Sequence, residues 1–158
     1  MTYSKTIDPH QQELAETAIR EARKTVDYNT VEYPLEYFIG KINQQEIDNN
    51  LRTDKSQQSY FIESLLLGLP VLNIVINDND EQLEIIDGKQ RLYTAINFIN
   101  GNLKLENLKQ LVTLNGLKFE DLLMSRQRKF KRISVRAIAV APNAAMFLFG
   151  RNYDYFRY

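Results

Sequence analysis

Residues Glu84 to Leu92 read Glu-Ile-Ile-Asp-Gly-Lys-Gln-Arg-Leu, an apolar β-branched run that passes through Asp-Gly straight into helix-forming residues. A helix start presents backbone N–H groups without partners inside the helix, and a glycine there lets a ligand approach the backbone closely. The stretch therefore has the chemistry of an anion site. A plainer reading fits the same residues: Asp87 is a good N-cap, and Gln90 three residues on completes a capping-box-like pair. Lys89 and Arg91 favour the anion site, because two cations in a first turn oppose the helix dipole at a few tenths to about 1 kcal/mol each. A bound phosphate reverses that sign. Arg91 can fork onto two phosphate oxygens, Gly88 lets the ligand come close, and Lys89 acts as a point charge. Asp87, the candidate catalytic group, can cap the helix, hold Arg91 or position a metal or water. The spacing matches neither a Walker-A loop nor a dinucleotide fingerprint.

A second cationic group lies downstream. Arg126, Arg128, Lys129, Lys131, Arg132 and Arg136 follow one another with no acid among them. They read either as a solvated face beside an acidic half of the chain or as a surface for a phosphate or DNA backbone, with salt-dependent affinity and no base reading. His10, the one imidazole, sits in a polar segment, and the chain has no Cys. A thiol nucleophile, a thiolate zinc site and a Ser-His-Asp triad are unsupported, and no metal site is expected. A nuclease acting by itself has little chemistry to draw on here.

The elements that must position these groups follow from periodicity and punctuation. Gln11 to Val26 places Leu14, Ala15, Ala18, Ile19, Ala22 and Val26 on one stripe, predicting an amphipathic helix. Asp27 to Thr30 reads as a turn, Val31 to Tyr33 as a short strand, and Leu35 to Ile42 as a second helix. Asn43 to Asp54 has no clear period. A third helix starts near Thr53 or Asp54 and stops at Gly68 and Pro70. Leu72 to Ile76 and Leu83 to Ile86 form a hairpin around Asn77 to Asp80, and a fourth helix carries Leu92, Ala95, Ile96 and Ile99 to Asn100 and Gly101. Leu114-Asn115-Gly116-Leu117 carries a tight-hairpin signal. Arg126 to Lys131 predicts a short helix, Ile133 to Val140 a strand, and Asn143 to Phe149 a last helical turn or two. Hairpins among interleaved helices predict an α+β fold with a small mixed sheet.

The chain resembles the N-terminal domain family of GmrSD-type restriction endonucleases, whose signature reads Asp-Gly-Gln-Gln-Arg. Ile86-Asp87-Gly88-Lys89-Gln90-Arg91 carries it, with Lys89 in place of the middle Gln, and the match implies that Gln90 joins Gly88, Lys89 and Arg91 in binding nucleotide phosphate. Ser59-Tyr60-Phe61-Ile62-Glu63-Ser64-Leu65-Leu66-Leu67-Gly68-Leu69-Pro70-Val71 is similar to the family's helix end ahead of the signature. Leu114 to Leu122 and Arg126 to Phe130 also read like family segments, so the resemblance spans roughly residues 27 to 140. The family's upstream Tyr-Gln-Arg and nearby Trp fall where this chain has Asp48-Asn49-Asn50-Leu51-Arg52-Thr53-Asp54, and Arg52 stands in for one basic contact. The later Phe-x-Arg-Ile/Leu-Asn-Thr-Gly segment is reduced to Phe149-Gly150-Arg151-Asn152, and the family usually continues into a helical region beyond.

The resemblance implies a fold like ParB and sulfiredoxin and an NTP-binding, often NTP-hydrolysing, cytoplasmic domain of modification-dependent restriction and phage defence. Its cofactor is an NTP, with Mg²⁺ in the hydrolysing members. The alternative is a non-catalytic nucleic-acid-binding or partner-binding remnant that uses Arg126 to Arg136. A length of 158 residues with 44% apolar content suits a single domain, since such a chain buries roughly 70% of its unfolded surface. Within it we expect a helical segment over 1–30, the signature domain over 31–142 and an aromatic tail over 143–158. That tail holds Phe147, Phe149, Tyr153, Tyr155, Phe156 and Tyr158, dense enough either to pack back onto the domain or to meet a second copy or a partner protein. No apolar run approaches the roughly 20 residues that span a bilayer, so no membrane contact is expected. Net charge is zero, yet residues 1–87 are strongly acidic and residues 88–158 strongly basic. Either the halves attract one another, or the basic half faces an anionic ligand.

Overall fold

A computed structural model describes residues 6–24, 28–77 and 83–140. Asp8 accepts a hydrogen bond from the His10 backbone N–H at 3.2 Å, with Pro9 in the first helical position, and α1 runs Pro9–Arg23. Its apolar stripe forms the helix as expected but is not covered to core depth: no residue of α1 is buried, and Leu14 and Ile19 are 58% and 52% exposed. β1 covers Tyr28–Pro34, so Tyr28 to Thr30 extend the strand instead of turning. The expected second helix is a single 3-10 turn, Leu35–Phe38, with Leu35 and Phe38 inward. Gly40, with its large backbone entropy, falls within the expected span, and the helix does not continue to it. The unperiodic stretch contains α2, Gln44–Asn50, capped by the Asn43 side chain, which accepts from the Glu46 N–H at 2.8 Å. Only Ile47 of its seven residues is buried, which is why periodicity did not reveal it. α3, Lys55–Leu66, opens on a full capping box between Asp54 and Gln57 and closes at Gly68, where φ is +82°.

The remaining elements are β2 (Asn73–Asn77), β3 (Glu84–Asp87), α4 (Lys89–Ile99), α5 (Met124–Lys131) and β4 (Ser134–Val140). The sheet runs in the order β1-β4-β2-β3, with β1 antiparallel to β4, β4 parallel to β2, and β2 antiparallel to β3. This is an α+β fold with a mixed four-stranded sheet, as the hairpins and interleaved helices predict. β4 shows the alternation of a strand with one core face: Val135, Ala137 and Ala139 are buried while Ser134 and Arg136 are exposed. The β2–β3 pairing shifts register between Val75 and Ile76, so Ile76 and Ile85 join the main core. Ile86 instead packs with Val75, Val140 and Ile138 in a second, smaller cluster. The loop of this hairpin, residues 78–82, lies outside the described residues, as do Val26, Asp27, the expected helical turn at Asn143 to Phe149 and the aromatic tail with its suggested partner contact.

α4 is the central helix, with every residue from Leu92 to Phe98 buried. Phe98, Phe119 and Phe130 meet edge to face, their centroids 5.3 to 5.8 Å apart. The Asn-Gly signal does not make a hairpin. Asn115 has φ −57° and ψ 130°, Gly116 has φ +86°, and the Leu117 N–H donates to the Leu114 carbonyl at 3.0 Å, which is a type II turn. Asn115 stays out of the left-handed region, and its side chain instead accepts from the Leu108 N–H at 2.8 Å.

One face of α3 organises the loop that leads to this turn. Ser59 Oγ accepts from the Glu106 N–H at 3.1 Å, and Ser56 Oγ accepts from Asn107 Nδ2 at 2.7 Å. Glu63, only 3% exposed, accepts from the backbone N–H groups of Gln110 and Leu111 at 3.1 and 2.9 Å. Ser59 and Glu63 of the helix-end motif are thus loop anchors. Glu63→Ala would leave both amides without their acceptor, so we expect a loss of about 2 to 4 kcal/mol in urea unfolding, with a smaller loss for Glu63→Gln, which keeps an acceptor.

Candidate functional site

The chain passes from β3 to α4 through Gly88, whose φ of +91° is left-handed. A Cβ placed on Gly88 would sit 2.8 Å from both the Asn73 carbonyl oxygen and the Ile74 Cγ2. The close approach this glycine permits is therefore to β2, which supplies its structural requirement without any ligand. Gly88 itself is the N-cap residue, and no side chain caps the helix. Asp87 is the last residue of β3, one position too early for a cap, and Gln90 does not reach back to close a capping box. A left-handed turn, in place of the extended conformation usual at an N-cap, separates Asp87 from the first-turn amides. The Asp87 carboxylate is half-buried and accepts no hydrogen bond from any described residue. The first intrahelical bond runs from the Leu92 N–H to the Gly88 carbonyl at 3.1 Å. The amides of Lys89, Gln90 and Arg91 precede it.

Gln90 points toward the α2–α3 connection. Its Nε2 donates to the Asn50 carbonyl at 2.6 Å, and its Oε1 accepts from the Arg52 N–H at 2.8 Å. Arg52 is thereby brought beside the start of α4, with its side chain exposed. Arg91 is half-buried, and its Nη1 donates to the Val71 carbonyl at 3.2 Å, holding the segment that leads into β2. Lys89 is also half-buried. Arg52, Gly88, Lys89, Gln90 and Arg91 thus gather around one helix start, with Asp87 at its edge.

The downstream basic residues are built on other elements. Arg126, Arg128 and Lys129 are exposed on α5, Arg132 is exposed at its end, and Lys131 lies 5.9 Å over the Phe119 ring. Three of them stand in the last turn, where cations complement the helix dipole. Arg136, exposed on β4, links the two groups: its N–H donates to the Leu72 carbonyl at 3.1 Å, and it lies in register with Asn73, against which Gly88 packs. Among the described residues the ion pair is Lys24, just past the end of α1, with Glu21.

Sequence reading did not reach the Tyr93–Glu46 contact. The Tyr93 hydroxyl, buried within α4, donates to the exposed Glu46 carboxylate at 2.9 Å. Burial, and then the bond to Glu46 and its charge, push the phenol above its ordinary range. This ties α2 to α4 beside the Gln90 contact. An aromatic inside an apolar stripe gives no signal of such a partner. No group of three or more His, Cys, Asp and Glu among the described residues could hold a metal ion. No helix among them is long and apolar enough to cross a membrane.

A mixed sheet whose β3 turns through a glycine into a cation-bearing helix defines an α+β domain with a polar helix start as its distinctive feature. The chain belongs to the family of GmrSD restriction endonuclease N-terminal domains, whose sequence profile matches residues 35–153. The match begins at the 3-10 turn and takes in every element from there through β4, with α1 and β1 ahead of it. No curated protein and no solved structure gives a significant match. The likeness to ParB and sulfiredoxin rests on the sequence resemblance.

Gly88→Ala combines a left-handed backbone with a clash against β2, so we expect it to cost about 2 to 5 kcal/mol in denaturant unfolding. Gly40→Ala, where nothing lies within 4 Å of the added carbon, serves as the control and should be close to neutral.

Proposed function

We propose that the chain is an NTP-binding domain of a restriction system and that the start of α4 receives the nucleotide phosphates. The observation that carries this is the uncapped helix start with Lys89 and Arg91 in its first turn and Arg52 held alongside by Gln90. Uncapped amides and clustered cations suit an anion, and the charges that oppose the helix dipole become favourable once a phosphate is present. Lys89 supplies a mobile point charge, and Arg52 supplies a planar fork. Arg91 holds the Val71 carbonyl and adds its positive charge to the helix start. In the hydrolytic version Asp87, whose carboxylate takes no hydrogen bond from the described residues, orients the attacking water. Mg²⁺ is commonly held by one or two carboxylates together with substrate phosphates, so it fits here as a companion of the nucleotide, with Asp87 as the protein's ligand; it would neutralise phosphate charge. Membership of a restriction endonuclease family supports a place in defence against foreign DNA, in the cytoplasm.

A second reading is favoured by one observation. The cations of Arg126, Arg128, Lys129, Arg132 and Arg136 are exposed, and none is ion-paired among the described residues. They suit a DNA backbone, in which case the domain would read no sequence itself.

Calorimetric titration with ATP, GTP and CTP tests the first reading. Arg52→Ala and Lys89→Ala should each weaken binding by roughly 10-fold, the worth of one charge-assisted contact, and leave the ligand-free melting midpoint unchanged. Arg91→Ala should weaken binding and also lower the midpoint, because it loses the Val71 contact. A wild-type protein that binds none of the three overturns the assignment. For the second reading, duplex affinity measured from 50 to 200 mM salt should fall on a log–log slope that becomes shallower by about 0.9 for each arginine replaced by alanine. A slope that does not change removes it.

A further inference from the structure

We propose that Gln90 is a positioning residue, whose carboxamide locks the Asn50–Thr53 connection so that Arg52 is presented to a bound phosphate, and that it makes no phosphate contact of its own. This rests on the nucleotide-binding reading above. Its ground is the use of both ends of the amide. Nε2 donates to the Asn50 carbonyl at 2.6 Å and Oε1 accepts from the Arg52 N–H at 2.8 Å, across about 40 residues of chain. The donor and acceptor on the backbone admit one orientation of the amide only. A Glu would accept from Arg52 and repel the Asn50 carbonyl, a Lys would donate and not accept, and an Asn is one methylene short. Glutamine is the residue that satisfies the pair.

The same connection is fixed from its other side. Gln58, a buried residue of α3, donates through Nε2 to the Thr53 carbonyl at 2.8 Å. The Leu51 N–H donates to the Ile47 carbonyl at 2.8 Å, and Asp54 begins the next capping box. Four successive residues, Asn50 to Thr53, are therefore held through their backbone, by Gln90, Gln58 and the last turn of α2. The Arg52 side chain, in contrast, is exposed and has no ion pair among the described residues. A solvated connection between two helices has no need of such restraint for its own sake. A free guanidinium on an immobilised backbone has already lost much of the freedom that binding would remove, and that is how a phosphate-binding arginine gains affinity.

The test uses the full chain as wild type, Arg52→Ala, Gln90→Met, Gln90→Ala and the double variant Arg52→Ala/Gln90→Met. Methionine keeps the length and bulk of Gln90 and removes both hydrogen bonds, so the fold is retained if the alanine variant proves unstable. Two quantities are read: ATP, GTP and CTP affinity by calorimetry, and exchange of the Arg52 amide by nuclear magnetic resonance without nucleotide. We expect Gln90→Met to weaken binding by roughly as much as Arg52→Ala, about 10-fold, to speed exchange at the Arg52 amide, and to add nothing in the Arg52→Ala background. Losses that add in full would mean that Gln90 touches the nucleotide directly and would overturn the proposal. So would an Arg52 amide that exchanges equally slowly in wild type and Gln90→Met, or equal affinity in the two. A wild type that binds none of ATP, GTP and CTP sinks the functional reading and this proposal together, whereas equal binding by wild type and Gln90→Met sinks this proposal alone.

Discussion

The contact between Gly88 and β2 sets the geometry of everything around it. With the Asn73 carbonyl and the Ile74 methyl where a side chain would begin, the chain can leave β3 only through a left-handed glycine. That turn aims α4 across the core with Leu92 to Phe98 buried. The same turn removes Asp87 from capping distance and leaves the first-turn amides without a side-chain acceptor. Two properties that look separate in the sequence, the demand for glycine and the open helix start, thus have one steric cause.

Around this turn the polar side chains of the signature serve two roles. Gln90 and Arg91 both reach backbone carbonyls of other segments, Asn50 and Val71, and thereby hold the α2–α3 and α3–β2 connections against α4. Tyr93, through Glu46, does the same one turn further along. A sequence signature of this kind is therefore partly a folding requirement: each polar group stabilises a connection whose own residues bury little apolar surface. What the folding requirement does not explain is Lys89 and the Arg52 side chain, for which the described residues offer no ion-pair partner.

Much of the fold was legible because the relevant signals are local. Asp54, Gly68 and the Asn100-Gly101 pair mark helix ends by capping chemistry, and the β2–β3 and β4 runs are β-branched. The signals failed where tertiary context decides. Asn115-Gly116 permits several turn types, and the Leu108 contact selects type II. α2 buries one residue and so has no stripe to read. α1 has a stripe, but periodicity specifies a face and not what covers it. For the site, residue types located the helix start, because helix-start chemistry is local, whereas Arg52 was nominated by the family resemblance. The Gln90 bonds to Asn50 and Arg52 were not legible, since they join positions about 40 residues apart through backbone atoms that every residue carries.

Among the described residues the ion pair is local to the end of α1. Opposite charges that stay apart still make a long-range field, and screening over about 8 to 10 Å at physiological salt limits its reach to nearby groups. The anion-favouring groups at the α4 start therefore act mainly on what lies beside them. Arg91 is partly accounted for by its Val71 bond. Lys89 is not, since a lysine in a first turn opposes the helix dipole. Among the groups gathered at this turn, Lys89 and Arg52 are the ones whose presence the fold alone does not account for, so the ligand question falls on them more than on the glycine or the glutamine that stand beside them in the signature.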